Sequence, residues 1–158
     1  MQADRDSAGV RIPPPLVFIG ALIASLALDR MMWWSPGIPL AHWFETRLGW
    51  VVIVAGFAIL LTAIGLFKKA GTDPKPWRTP SAFVTDGVYR WTRNPMYLGM
   101  ALIYAGVALC GDSLVTLLSL IPVVLWLQRN VIEPEEAYMT SRFGEPYRVY
   151  KASVRRWF

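Results

Sequence analysis

Apolar residues in this chain are gathered into four runs, and the charges are set between them. The runs are Leu16–Leu28, Gly49–Phe67, Pro95–Cys110 and Leu114–Leu127. A helix needs about 20 mostly apolar residues to cross roughly 30 Å of hydrocarbon. The first two runs, with their flanks, therefore predict membrane spans over about 14–34 and 49–67. The last two are shorter and are joined by Gly111-Asp112-Ser113. They predict a tight helical hairpin, with arms over about 95–110 and 114–128 extended at their lower ends, rather than one long kinked helix. Pro122 predicts a kink in the second arm.

The segments between the runs read differently. Arg5 and Arg11 ahead of the first run give it the look of a signal peptide, but Asp29-Arg30-Met31-Met32-Trp33-Trp34 follows without a small-residue cleavage site. The tryptophans fit an interfacial anchor, so the span is read as retained. Residues 35–48, with His42, Glu45 and Arg47, read as a short loop, and residues 68–94, with Gly71, Pro74, Pro76 and Pro80, as a longer polar one. The tail, 129–158, is charged and amphipathic. Phe143-Gly144 predicts a helix end with glycine in the left-handed position, and Pro146 suits the first turn of a following helix. The fold class expected is an all-α integral membrane protein, one domain over 1–158. It has four transmembrane helices, the last two a hairpin, and amphipathic cytoplasmic tail helices.

Charge adds orientation. With the amino terminus cytoplasmic, four crossings return the tail to the same side. The cytoplasmic segments then hold every Lys and Arg except Arg30 and Arg47, as the positive-inside rule requires. The net charge of +5 is accounted for by basic loops facing anionic lipid, and basic residues spread along a membrane face make nucleic acid a poor partner. A chain without a retention signal suits a bacterial inner membrane, with both termini cytoplasmic. One cysteine, Cys110, permits no intrachain disulfide, and one histidine, His42, leaves no histidine cluster for zinc or iron. No metal is expected.

Both polar regions thus fall at one membrane face, and each carries an unusual feature. In Thr85–Gly99, Gly87 permits a tight turn, Tyr89 and Trp91 offer aromatic faces, Arg93 is a donor fork, and Asn94-Pro95 starts a helix whose free N–H groups favour an anionic ligand group. Taken alone, a juxtamembrane belt of aromatics and snorkelling arginines is the better reading of Trp91 and Arg90. In Glu133-Pro134-Glu135-Glu136, three acids break a basic face. They read either as first-turn acids of a tail helix opened by Pro134, which suffices for Glu136, or as a carboxylate that binds ligand hydroxyls or an ammonium.

The pattern Gly87-Val88-Tyr89, then Arg93-Asn94-Pro95-Met96-Tyr97-x-Gly99, resembles the isoprenylcysteine carboxyl methyltransferase family and the related phospholipid methyltransferases. So does Glu135-Glu136 followed by Phe143-Gly144-x-x-Tyr147-x-x-Tyr150-x-x-x-Val154. The resemblance covers about residues 68–158. It implies S-adenosylmethionine as cofactor, held at the cytoplasmic face between hairpin and tail rather than on a Rossmann sheet. It implies a pocket lined by Ser81, Ala82, Phe83, Val84, Tyr89, Asn94, Pro95, Met96 and Tyr97, with Glu135 as the acidic partner and Arg129 towards substrate. There are departures: Asn94 stands where many members carry a histidine and cannot titrate near neutrality. Arg129 lies farther from Glu135-Glu136 than in the isoprenylcysteine enzymes, and Arg155-Arg156-Trp157 replaces a proline-containing ending.

The implied chemistry is in-line methyl transfer from a sulfonium to a nucleophile. The protein's task is alignment, with aromatic faces such as Tyr89 and Tyr97 stabilising the cation. The absence of an evident general base at this face favours a substrate already ionised, such as a carboxylate, although Glu133 could serve if its pKa were raised. A site at the bilayer boundary suits a lipophilic or lipid-linked substrate entering from the membrane. The competing readings are N-methylation of a phospholipid amine or other small acceptor, and a non-catalytic membrane scaffold.

Overall fold

The computed structural model describes residues 12–33, 36–72 and 81–157. Arg5, Arg11, Lys75 and Arg78, which entered the orientation argument, lie outside the described residues, as do Trp34 and the prolines at 74, 76 and 80. Among the described residues every regular element is helical: α1 (Pro14–Met31), α2 (His42–Lys69), a 3-10 turn (Gly87–Arg90), α3 (Pro95–Cys110), α4 (Leu114–Leu127), a π turn (Gln128–Ile132), α5 (Glu133–Phe143) and α6 (Glu145–Ser153). Three helical stretches among the described residues are long and apolar enough to cross a membrane: α1, α2, and the 30 residues from Leu114 to Phe143. The fourth, α3, is apolar but shorter, at 16 residues.

Two boundaries differ from the sequence reading. The stretch 42–48 is not loop but the first two turns of α2, whose 28 residues span about 42 Å at 1.5 Å per residue. Its polar residues sit where an overlong helix emerges from the apolar layer, so their polarity does not signal a helix end. Likewise α4 does not stop at 128. The π turn carries it into α5, and Pro134 sits in the first turn of α5, within this continuous stretch rather than at the start of a separate helix. The hairpin turn at Gly111–Ser113 is as expected. Ser113 caps α4, its Oγ accepting the Thr116 N–H at 3.1 Å. Gly144, at φ 61° and ψ −133°, does have positive φ, though outside the left-handed helical basin, and α6 opens with proline in its first turn.

The helices are held by small residues and a few polar links. Gly49 faces Gly106, and Gly56 faces Gly99, across antiparallel α2 and α3. A methyl added to Gly56 would lie 2.7 Å from the Gly99 carbonyl oxygen, and one added to Gly106 would lie 2.7 Å from that of Gly49. Backbone is in contact with backbone along this seam, the packing available to helices that gain nothing from burying apolar surface out of lipid. On the other side, α1, α3 and α4 meet around Phe18, Tyr104, Val123 and Leu127. The Tyr104 hydroxyl bridges them, 3.0 Å from Ser25 Oγ and 2.7 Å from Ser119 Oγ. Large apolar side chains such as Ile19, Val54, Leu61, Leu118 and Ile121 point outward, as expected of lipid-facing surface.

This arrangement brings the start of α1, the end of α2, the start of α3 and the region beyond α4 to one end of the bundle. Pro14, Phe67, Asn94 and Glu135 all line a single cavity there.

Candidate active site

The cavity has a volume of about 550 Å³, within the range of small-molecule sites. One of its walls follows α3 from Asn94 to Tyr104, roughly 15 Å of helix. Towards mid-span it is walled by Leu22, Leu60, Ile64 and Ile103, whereas the polar groups Tyr89, Arg93, Asn94, Tyr97, Glu135 and Glu136 gather at the bundle end. The site is thus apolar along its depth and polar at its mouth.

Local sequence sets each part. Gly87, at φ 59°, admits the turn that brings Tyr89 under the end of α2. A Cβ added there would fall 2.9 Å from Leu66 Cδ1 and would sit on a backbone of positive φ, so it would meet both crowding and strain. Phe67 packs against Tyr89 with the rings tilted at 58° and their centroids 5.5 Å apart. The phenol of Tyr89 is buried, and its hydroxyl has no hydrogen-bond partner among the described residues. Pro95 opens α3, and Tyr97 in its first turn donates to Glu135 Oε1 at 2.7 Å. Glu135 makes no ion pair among the described residues. Phe83 packs edge-on against Phe143 and Tyr147, with centroids 5.0 and 5.6 Å away, which ties the 81–84 strand of chain to the tail helices.

Beside Glu135, Glu136 has the opposite surroundings. Its Oε1 accepts from Arg93 Nη2 at 2.9 Å and Arg156 Nε at 3.1 Å. Its Oε2 accepts from Arg156 Nη2 at 2.9 Å and faces Lys151 Nζ at 3.2 Å. Four contacts occupy the four acceptor sites of a carboxylate. Arg93 also donates through Nη1 to the carbonyls of Lys151 and Val154, both at 2.6 Å, while its buried Nε has no partner among the described residues. The same junction holds the chain end. The Arg93 N–H donates to the Arg155 carbonyl, and Thr92 Oγ1 and Asn94 Nδ2 both donate to the Arg156 carbonyl at 3.0 Å.

The tyrosines at this end are kept as neutral phenols. Burial, then the neighbouring Tyr150 and Glu135, pushes Tyr89 far above the ordinary value of 10.0. Burial and the Glu136 charge push Tyr147 up to about 12. Burial and Tyr147 push Tyr150 up in the same direction. A hydroxyl in this state donates a hydrogen bond but does not supply a phenolate base.

Of the residues singled out in the sequence, Phe83, Val84, Tyr89, Asn94, Pro95, Met96, Tyr97 and Glu135 line the cavity. Ser81 and Ala82 do not. Ser81 instead ties its segment to the end of α2, its N–H donating to Thr72 Oγ1 at 3.1 Å. Arg129 stands exposed on the π turn, away from the cavity wall. The acidic feature separates into two roles: Glu135 faces the cavity, and Glu136 is the anchor of the tail rather than a first-turn acid alone. Sequence reasoning missed Tyr138, Met139, Tyr147 and Tyr150 as wall residues, and missed α1, which contributes Pro14, Phe18 and Leu22. The three-residue spacing of Tyr147 and Tyr150 on an amphipathic helix was an available signal for one apolar face. For α1 nothing distinguished a cavity-facing side from a lipid-facing one.

Residues 44–146 match the phospholipid methyltransferase family over about two-thirds of the chain. The chain belongs to that family. Among its relatives is a protein-S-isoprenylcysteine O-methyltransferase of Schizosaccharomyces pombe, 39% identical over 72 residues, which are 45% of this chain and 30% of the relative. Another is the protein-S-isoprenylcysteine O-methyltransferase A of Arabidopsis thaliana, 29% identical over 123 residues, 75% of this chain and 61% of the relative. A Haemophilus influenzae protein without an assigned role is 39% identical over 62 residues, nearly its whole length. The chain therefore spans only part of the two methyltransferases it is similar to. The family membership agrees with the motifs at 87–99 and 135–154. The matched segment includes the wall residues of α2, α3 and α5 and stops before Tyr147 and Arg156.

Proposed function

We propose that this protein transfers a methyl group from S-adenosylmethionine to a lipophilic acceptor at the cytoplasmic face of a membrane. The observation that carries the reading is the cavity of a methyltransferase-family chain in which two buried polar groups, the Tyr89 hydroxyl and Arg93 Nε, have no partner among the described residues. An unmet buried donor costs about 1–3 kcal/mol, and a ligand with carboxylate and hydroxyl groups relieves that cost at both positions. These residues fit the cofactor. Arg93 Nε and the free N–H groups at the start of α3 suit its carboxylate, Glu135 its ribose hydroxyls or ammonium, and the faces of Tyr89 and Tyr97 its sulfonium.

The cofactor, when bound, supplies an electrophilic methyl carbon. The chain holds the acceptor in line with it and keeps water away. The apolar wall of Leu22, Leu60, Ile64 and Ile103 suits a hydrocarbon tail, leaving the polar end of the substrate near Tyr97 and Glu135. An acceptor that is already a carboxylate needs no proton removed, which agrees with three phenols held neutral. An amine headgroup is the second reading, favoured by the Glu135 carboxyl, which makes no ion pair among the described residues and could take a proton or pair with an ammonium.

The test is calorimetric binding of S-adenosylmethionine to purified protein, followed by transfer of labelled methyl to an organic extract of the membrane. Label in a base-labile lipid product supports the ester, and label in a base-stable one the amine. Label found only in water-soluble products would refute a lipophilic acceptor. Absence of binding by a folded protein would refute the cofactor.

A further inference from the structure

The far end of the bundle carries a second cluster of chemistry that methyl transfer does not use. His42 and Glu45 lie in the first turn of α2 and Asp112 in the α3–α4 turn, roughly 40 Å of helix from the end of α2 that lines the cavity. Each offers one ligand atom, an imidazole nitrogen or a carboxylate oxygen, and the three atoms lie within 4.8 Å of one another. His42 Nδ1 is 2.9 Å from Glu45 Oε1.

Glu45 is the informative member. Its side chain is 1% exposed, yet Oε2 has no hydrogen-bond partner among the described residues. A buried carboxylate oxygen without a donor is costly, and the group nearest to hand, His42, is 75% exposed and reaches only Oε1. Asp112 is fixed from the other side. Its Oδ1 accepts the Ile38 N–H at 2.7 Å, and its backbone takes a positive φ of 48°, a conformation uncommon outside glycine. Gly37 leaves the space its carboxylate occupies, since a Cβ there would fall 2.9 Å from Asp112 Oδ1. Two carboxylates and an imidazole are thus held together, with one buried oxygen still to be satisfied.

We infer that His42, Glu45 and Asp112 form a site for one divalent transition-metal ion of the zinc type, which clamps the start of α2 to the hairpin turn. A tetrahedral zinc site with bonds of about 2.0–2.2 Å sets neighbouring ligand atoms roughly 3.3–3.6 Å apart. The three ligand atoms lie within 4.8 Å of one another, so side-chain shifts of about an ångström would close the cluster to that spacing, with a water completing the shell. The ion is structural: it joins elements adjacent in the fold but about 70 residues apart in sequence, at the end opposite the cavity.

The experiment uses the full chain in detergent without a polyhistidine tag, stripped with chelator and titrated with ZnCl2 by calorimetry and thermal melting. Glu45→Gln and Asp112→Asn run in parallel. One zinc per chain is expected, with a raised melting temperature and affinity lowered roughly tenfold or more in either variant. Since His42 is the sole histidine and Cys110 the sole cysteine, X-ray absorption of the wild-type zinc complex gives a check that does not depend on the variants folding. It should show one imidazole with oxygen neighbours. Absence of saturable binding, equal affinity in both folded variants, sulfur in the zinc shell or a shell without imidazole would each overturn the assignment.

Discussion

The Tyr97 hydroxyl donates a 2.7 Å hydrogen bond to Glu135 Oε1, joining the first turn of α3 to the first turn of α5 at the mouth of the cavity. It is a direct link between the two sequence motifs that faces the cavity, as is the Tyr150 hydroxyl donating to the Tyr89 carbonyl at 2.8 Å. Removing the Tyr97 hydroxyl leaves Glu135 less well held while the ring remains. Tyr97→Phe should therefore weaken S-adenosylmethionine binding by about 2–13-fold, the range of one ordinary hydrogen bond worth about 0.5–1.5 kcal/mol, and Glu135→Gln by more. Calorimetry on both variants and on the double variant checks this. Additive losses would show that the pair does not act as a unit.

Glu136 predicts a stability effect rather than an affinity effect. Glu136→Ala strands Arg93, Arg156 and Lys151 around an empty acceptor, and breaking a buried pair costs about 3–5 kcal/mol. The partial exposure of Arg156 and Lys151 puts the expected loss at the lower end. Melting in detergent should show a clear drop, and limited proteolysis should release the tail beyond Phe143. Glu136→Gln, which keeps the shape, should fall between.

The glycine seam separates positions that look alike in sequence. Gly56→Ala and Gly106→Ala place a methyl within 2.7 Å of a carbonyl oxygen on the facing helix. Backbone cannot step aside, so α2 and α3 must part, at an expected cost of about 1–3 kcal/mol. Gly20→Ala and Gly65→Ala meet nothing within 4 Å and should be neutral or stabilising by about 0.5–1 kcal/mol through helix propensity. Melting temperatures of the four variants read out the contrast.

Alkaline pH should loosen the tail. Tyr147 is raised from 10.0 to about 12 by burial and the Glu136 charge, so the unfolded chain gives up this proton before the folded one does. The stability conferred by the neutral phenol is complete below pH 10 and is lost as pH rises from 10 towards 12. Tyrosinate absorbance near 295 nm should lag the free-tyrosine curve, and Tyr147→Phe should flatten the decline in melting temperature over that window.

Most of the scaffold was legible because lipid imposes a strong one-dimensional pattern: long apolar runs, basic flanks and a three-residue turn at Gly111–Ser113. The errors arose where that pattern is silent. His42 to Leu48 is polar because α2 outruns the apolar layer, and composition does not distinguish an emerging helix from a loop. The continuity of α4 into α5 was hidden by Pro134, which reads as a start but is tolerated inside a long helical stretch next to the wider π turn. The seven-residue repeat of Gly49 and Gly56, mirrored in Gly99 and Gly106, was in plain view and is the signal that pairs α2 with α3. For the candidate site, Tyr89, Asn94 to Tyr97 and Glu135 were readable as motifs. The division of labour between Glu135 and Glu136 was not, because it depends on Arg156, twenty residues farther along the chain.

The π turn at Gln128–Ile132 also acts as a phase shifter. Successive residues on an α-helix are about 100° apart, so one residue more or fewer in this segment would swing the whole of α5 by that angle. Glu135 would leave Tyr97 and Glu136 would leave its three cations. The distance between the fourth apolar run and the paired acids is therefore constrained by rotation as well as by reach, since three or four added residues restore the facing but slide α5 by about 4.5–6 Å.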